Sequence, residues 1–292
     1  MANAADADNS GRSLGDLRVL LAGVPGITDR GWLGYCTVTL FPLEDGWALF
    51  DTGQYNDRHL LLDALRTADV SPDDIRHVVL SHLHFDHCLN LPLFRKAQVY
   101  LSRAEREYAG KVLSGDAMDP AIPDFWPSML ENHRVHAVDD GFRLSPTKRL
   151  RVFPGHTPGS MAMICDGPSR MAVCGDAVKN AWEAVTGRPG MPLAGDAAAS
   201  ESIASILREA TVLVPGHDVP FAMNADGVEF LAPFHWEVNI SLYPGGPGET
   251  VASLHRPAGP ARTPKGGTRR FHHKENDVEP RSGHAPDKKK EE

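Results

Sequence analysis

The run Val78-Val79-Leu80-Ser81-His82-Leu83-His84-Phe85-Asp86-His87 carries three histidines and one aspartate within six positions, directly after an apolar stretch. In an extended chain alternate side chains point the same way. His82 and His84 therefore reach one point together, while Asp86 and His87, where the chain turns toward a helix, aim at a second point nearby. Neutral imidazole nitrogen and carboxylate oxygen are the donors that zinc and iron accept, and three protein ligands plus water is the catalytic arrangement.

Three further candidates stand apart, each at the end of an apolar run and each beside glycine. They are His156 in Phe153-Pro154-Gly155-His156-Thr157-Pro158-Gly159, Asp176 in Val173-Cys174-Gly175-Asp176, and His217 in Val214-Pro215-Gly216-His217. A side chain placed just after a strand sits at a sheet edge where loops converge, and glycine lets the backbone bend there. Taken singly, each such His or Asp reads as a hydrogen-bonded or turn-capping residue. Together with the 82–87 cluster they make five histidines and two aspartates, enough donors for two ions sharing one carboxylate.

Bringing these donors together requires strands that end on one edge. Short apolar runs predict strands over 17–24, 35–41, 46–50, 77–80 and 98–101, and again over 150–153, 161–165, 171–174 and 211–214. Helices are expected over 57–68 and over 196–210, the latter with an Ala199, Ile203, Ile206, Leu207 stripe and Asp196 as its cap; Asp73 is expected to cap a short turn after Pro72. Residues 108–133 read as an irregular insertion bordering a pocket. Two similar halves of strands and helices predict an α+β protein with two sheets packed face to face and helices outside. Residues 1–15 read as a flexible leader and 16–244 as the folded hydrolase domain. The stretch 245–292 holds 7 Gly, 6 Pro and only 8 apolar residues, and reads as a disordered basic tail whose His272-His273 and lysine run are solvated charge.

The set His82-x-His84-x-Asp86-His87, His156, Asp176 and His217 resembles the metallo-β-lactamase superfamily. Phe50-Asp51-Thr52-Gly53 is similar to its Asp-Thr-Gly strand end, and Gly155-His156-Thr157-Pro158-Gly159 to its second histidine loop. The resemblance spans about residues 17–221 and implies a four-layer αββα sandwich with the site at one edge of the two sheets. It implies that His82, His84 and His156 bind one metal ion, that Asp86, His87 and His217 bind another, and that Asp176 bridges them. The ions implied are two divalent metals per chain, zinc first, with iron or manganese as alternatives.

A carboxylate at position 176 separates this chain from the antibiotic-degrading zinc β-lactamases, which generally lack one there. The Ser81-to-His87 run is similar to that of N-acyl-homoserine lactonases, glyoxalase II thioesterases and related small-molecule hydrolases. The lactonases carry a tyrosine three residues after the bridging aspartate, where this chain has Lys179. The implied chemistry is attack by a metal-bridging hydroxide on the carbonyl of a small carboxylic ester or lactone. Asp86 would orient the hydroxide and pass on its proton, Lys179 would help to hold the oxyanion, and Asp51 would accept a hydrogen bond from a ligand imidazole. Trp32, Tyr35 and Trp182 are candidates to wall the substrate pocket. Cys88, beside His87, reads as core rather than ligand, and His133 and His136 as structural.

Charge and composition bound the alternatives. The 292-residue chain carries a net −8, which divides into −11 before residue 245 and +3 after it. An acidic body with no basic, aromatic-interleaved patch weighs against phosphodiester or RNA cleavage, the second enzymatic reading of the same ligand set. A metal-binding sensor or scaffold without turnover is the alternative of another class. The polar start and the absence of a long apolar stretch predict a cytoplasmic protein with no membrane contact, and four cysteines without C-x-x-C spacing predict reduced thiols. A small-molecule substrate is the expected partner, nucleic acid is not, and the sequence leaves the oligomeric state open.

Overall fold

The protein was described from a computed structural model, which describes residues 14–29, 31–240 and 248–260. The expectations for residues 1–13 and 261–292, the leader and the last part of the tail, lie outside the described residues.

The first sheet follows chain order: β1 (Arg18–Leu21), β2 (Val38–Leu43), β3 (Gly46–Phe50), β4 (Ile75–Val79), β5 (Gln98–Ser102) and β6 (Arg134–Val138) lie side by side. The pairs from β1 to β3 are antiparallel and those from β3 to β6 are parallel. Each parallel step requires a crossover. These are supplied by α1 (Arg58–Thr67), by the short α2 (Phe85–Cys88), and by α3 (Arg103–Ser114) with α4 (Trp126–Leu130).

The second sheet is laid down in reverse. β7 (Phe142–Ser145), β8 (Lys148–Val152), β9 (Met161–Cys165), β10 (Met171–Gly175), β11 (Val212–Pro215), β12 (Phe221–Asn224) and β13 (Gly227–Phe230) run across it in order. Only β10 and β11 are parallel, joined through α5 (Ala181–Thr186) and α6 (Asp196–Glu209).

Period-two alternation decides which layer each strand residue joins. From the first sheet Phe41, Ala48, Phe50, Val79 and Tyr100 meet Met161, Met163, Met171, Val173, Val212 and Val214 of the second, forming the core between the sheets. The alternate residues Val38, Leu40, Leu49, Val78, Val99 and Leu101 face Leu61 and Leu65 of α1 and Ala109 of α3. On the far side Ala162, Ile164, Ala172, Cys174 and Leu213 pack with Ala181 and Ala184 of α5 and Ile203 and Ile206 of α6. The result is the αββα sandwich. Each fully buried large side chain, such as Phe50, stabilises it by about 1.5–3 kcal/mol, and a one-residue register slip would exchange the two faces.

Three local expectations are corrected. Asp196 is the first residue of α6 rather than its cap: the position before it is Gly195, at φ +105°, a backbone conformation that suits glycine. The turn after Pro72 is closed by Asp74, whose carboxylate accepts from the Ser71 N–H at 2.9 Å, and not by Asp73. Part of the stretch read as tail, within 249–260, forms strands. β14 (Phe234–Ile240) and β15 (Glu249–Arg256) form an antiparallel hairpin, and β16 (Gly259–Pro260) adds an edge to the second sheet beside β13. Low apolar content is offset there by backbone pairing and by Arg256, whose guanidinium lies 3.5 Å from the Phe230 ring centre and pairs with the buried Asp218.

No helix among the described residues is long and apolar enough to cross a membrane. The four cysteines are free, three of them buried.

Candidate metal centre

Strand direction assembles the site. β3 and β4 are parallel in one sheet, β10 and β11 in the other, and β8, two antiparallel steps from β10, shares its direction. Their carboxyl ends deliver Asp51, the 82–87 run, His156, Asp176 and His217 to one edge, the position where open sheets offer ligands a crevice. Two main-chain hydrogen bonds tie the sheets together there: Met161 N–H donates to Ser81 O at 2.8 Å, and Thr37 N–H to Gly216 O at 2.7 Å.

The donor atoms of these residues lie close together. His82, His84 and His156 present ring nitrogens within 4.8 Å of one another, as do the donor atoms of His82, His87 and Asp176, and those of Asp86, His87 and His217. Asp176 stands between the groups. Its Oδ2 lies 3.2 Å from His156 Nε2, and its Oδ1 lies 3.3 Å from His87 Nε2 and 3.2 Å from His217 Nε2. Asp86 Oδ2 is 3.4 Å from His217 Nε2. All seven side chains are buried.

Each ring is held by its outer nitrogen. His87 Nδ1 meets Asp51 Oδ2 at 2.8 Å, His217 Nδ1 donates to Tyr35 O at 2.9 Å, His82 Nδ1 meets Ser81 Oγ at 2.9 Å, and His84 Nε2 meets Asp119 Oδ2 at 3.0 Å. His156 Nδ1 lies 2.9 Å from both Met191 O and Lys179 Nζ, and the carbonyl accepts its proton when that nitrogen carries one. This is the outer support that metal-binding imidazoles carry. The inward atoms His82 Nε2, His87 Nε2 and Asp176 Oδ1 are buried without an aligned hydrogen-bond partner. Three orphaned buried donors aimed at one another are costly in a protein interior unless a cation joins them, so the residues present fit a metal ion.

The electrostatics differ between the two donor groups. Burial would lower the His87 and His217 imidazoles, but Asp176 and Asp86 raise both above their ordinary value, with Cys36 and Asp51 adding to the rise at His87. Burial drives the His82 and His156 imidazoles well below their ordinary value, with the neighbouring cationic groups adding to the effect, so both rings are neutral donors at neutral pH. Burial alone would raise Asp176, but His217, His87, His156 and Lys179 hold its carboxyl well below the usual carboxylate range.

Asp51 pays in backbone strain for its place. Its φ is +59°, in the left-handed region that costs a non-glycine residue about 1 kcal/mol. Three hydrogen bonds hold it there: from Ser81 N–H at 2.7 Å, from Ser81 Oγ at 2.8 Å, and the one with His87.

Lys179 follows Asp176 as expected, with Nζ 3.8 Å from Asp176 Oδ2. Its main-chain carbonyl accepts from His217 N–H at 2.6 Å, and its N–H donates to Glu183 at 2.8 Å, which ties the 176 and 217 loops together. A crevice of about 10 Å³, room for about one water molecule, lies beside His156 and Asp176, lined by Lys179, Glu183, Met191 and Ser202 among others. Tyr35 is half-buried and contributes its carbonyl to His217; Trp32, on the ribbon of 27–28 and 31–32, and Trp182, in the first turn of α5, are exposed. Cys88 is buried with its thiol 3.6 Å from Leu83 O, away from the donor groups.

Four residues of the site escaped sequence reasoning. Ser81 enters the sequence reading only as part of the run, and Cys36 only as one of four reduced thiols; the Cys36 thiol groups with Asp51 and His87, and burial pushes it up to about 12. Glu105 has a visible signal, since Ser102-x-x-Glu105 is a capping-box pattern. Ser102 Oγ does accept from Glu105 N–H, but the Glu105 carboxylate turns inward, accepting from Leu83 N–H at 3.0 Å and Thr157 Oγ at 2.6 Å. It thereby bridges the 82–84 and 156 loops. Asp119 lies in the insertion at 108–133, with no local motif to mark it.

A family model for the metallo-beta-lactamase superfamily matches residues 31–217. Metallo-beta-lactamase domain-containing protein 1 of Xenopus laevis is 30% identical over 182 residues, covering 61% of this chain and 69% of that protein. An N-acyl homoserine lactonase from a Bacillus species is 25% identical over 169 residues, covering 54% of this chain and 62% of the relative. Among solved structures, a Thermotoga maritima protein superposes with a TM-score of 0.58 at 19% identity, covering 71% of this chain and 98% of that one.

Proposed function

The chain belongs to the metallo-β-lactamase superfamily, and from that premise we propose that it is a dinuclear metal-dependent hydrolase of small carboxylic esters or lactones. The observation that carries the reading is the ring of inward donors around Asp176, with three of them orphaned and the outer nitrogens of the imidazoles tethered to protein groups. His82, His84 and His156 would hold one ion and Asp86, His87 and His217 the other, with Asp176 between them. Divalent ions bound there supply Lewis acidity and bring the ionisation of water to neutral pH. Zinc suits the donor set, as do iron and manganese.

The chain's own residues do the rest. Asp86, with its carboxylate beside His217, orients the attacking water and receives its proton for delivery to the leaving oxygen. The Lys179 ammonium, on the pocket side of Asp176, offsets negative charge developing on the carbonyl oxygen. Asp51 keeps His87 in the tautomer that presents Nε2 inward. Trp32, Tyr35 and Trp182 are assigned to the substrate rim. The lactonase relative supports this class of substrate.

The test is metal content of chelator-free protein, with turnover of a lactone and ester panel and of bis-nitrophenyl phosphate, in wild type and Asp176→Ala. Two ions per chain and lactone or ester turnover lost in the variant support the proposal. Phosphodiester turnover alone would favour a nuclease, metal-replete protein inert to every substrate a sensor, and wild type with less than one ion would overturn the dinuclear reading.

A further inference from the structure

Asp119 is a buried carboxylate between α3 and α4, far in sequence from every ligand run. Its Oδ2 lies 3.0 Å from His84 Nε2 and accepts from the Tyr108 hydroxyl of α3 at 3.1 Å, while its Oδ1 accepts from Ala121 N–H at 3.1 Å. Two residues on, the Ala121 carbonyl accepts from Phe85 N–H at 2.9 Å. Consecutive residues of the ligand run, His84 and Phe85, are thus pinned to one short stretch of the insertion.

The consequence concerns which nitrogen of His84 faces the cluster. His82, His87, His156 and His217 are each held through Nδ1 and turn Nε2 inward. His84 is held through Nε2, and its Nδ1 lies 2.9 Å from His156 Nε2. An imidazole has one donor and one acceptor nitrogen when neutral, so a carboxylate at Nε2 fixes the proton there and leaves the Nδ1 lone pair free.

We propose that Asp119, steadied by Tyr108, is a positioning residue that fixes His84 with Nδ1 as its metal donor, so that the 115–125 segment sets affinity at the His82–His84–His156 site. The proposal rests on the reading that this group binds an ion. Removing the carboxylate frees His84 to carry its proton on Nδ1 and to turn in place, which removes one of three histidine donors for part of the population. Loss of such an outer partner lowers metal affinity by about 10–100-fold.

The experiment uses the full-length protein stripped of metal and titrated with Co²⁺ against a chromophoric chelator, for wild type, Asp119→Ala, Asp119→Asn and Tyr108→Phe. Absorption bands of the bound cobalt report its coordination, and the melting temperature of each metal-free form reports the fold. Expected are two ions in wild type and a fall of about 10–100-fold for one of them in Asp119→Ala, with changed cobalt bands and an unchanged metal-free melting temperature. Asp119→Asn, whose amide oxygen still accepts from Nε2–H, should recover part of the loss, and Tyr108→Phe should lose less than Asp119→Ala. Wild-type affinity and cobalt bands in Asp119→Ala would overturn the proposal while leaving the dinuclear reading intact, and so would a loss matched by a fall in metal-free melting temperature. Should the Ala variant fail to fold, an Asn variant and a Tyr108→Phe variant both equal to wild type would overturn it. No ion in wild type would overturn both readings.

Discussion

Gly216 offers the sharpest probe of the centre. A Cβ built on it would stand 2.3 Å from Asp176 Oδ1, 2.6 Å from Gly175 O and 2.8 Å from the Gly175 carbonyl carbon. The last two are main chain of the neighbouring parallel strand, which pairs Gly175 with Pro215 and cannot retreat without opening that pairing. The strain therefore falls on the Asp176 carboxylate and on the 216–217 backbone, which must part by about 1 Å to reach ordinary contact, a displacement that costs on the order of 100-fold in a preorganised site. Gly216→Ala should thus lower lactone or ester kcat/KM about 100-fold and weaken binding of the metal ions. Overpacking should also destabilise the metal-free protein by about 1–3 kcal/mol, or a fall of roughly 2–4 °C in melting temperature per kcal/mol at this domain size. The matched control is Gly167→Ala, where the added methyl meets nothing within 4 Å. Metal titration, melting of the metal-free form and turnover on one ester substrate suffice. Full activity and wild-type metal affinity in Gly216→Ala would refute the placement of Asp176 at the junction of the two donor groups.

Glu105→Leu leaves the Leu83 N–H without its buried acceptor, while the Thr157 hydroxyl keeps Ser160 Oγ at 2.8 Å, and should destabilise the protein by about 1–3 kcal/mol in urea unfolding, with Glu105→Gln losing less. Burial pushes the Asp57 carboxyl from its ordinary 3.8 up to about 6, with Asp86 adding to the rise and His59 opposing it. Between those values the folded chain binds more proton than the unfolded one, so stability contributed by this group is present at low pH and is lost as pH rises through the window. Metal-free wild type should therefore lose about 1 kcal/mol more than Asp57→Asn between pH 4 and 6, after solvent screening is allowed for, as read from denaturant midpoints. Gly110 lies inside α3 with open space at its Cβ position, and Gly110→Ala should stabilise by about 1 kcal/mol and raise the melting temperature. Burial pushes the Cys36 and Cys165 thiols up to about 12 and raises Cys88 and Cys174 as well, so an aromatic disulfide reagent at pH 8 should find no fast-reacting thiol in the native protein and four after unfolding.

Much of this site is legible in the sequence because its donors are local events. His82, His84, Asp86 and His87 follow directly from an apolar strand, and His156, Asp176 and His217 each close a short apolar run beside glycine. Strand periodicity also sorts Val78 from Val79 and Ala172 from Val173 into different layers, because alternation is a property of the backbone itself. Domain boundaries are less local. β15 lies in the stretch read as tail, while its partner β14 lies in the part read as folded, since the stability of β15 comes from pairing with β14 and from the Arg256–Asp218 pair rather than from apolar content. What only the tertiary structure decided is which residues stand behind the donors. Asp119 and Glu105 act across gaps of 35 and 22 residues, on His84 and on Leu83, and Cys36 reaches His87 from the loop before β2. Their roles depend on how sheet edges and crossovers meet. The sequence by itself determined that seven donors end strands and that two sheets carry them, because ligand type and alternation are written residue by residue; the tertiary structure decided which nitrogen each ring turns inward, because that is set by hydrogen-bond partners that only chain folding brings within 3 Å.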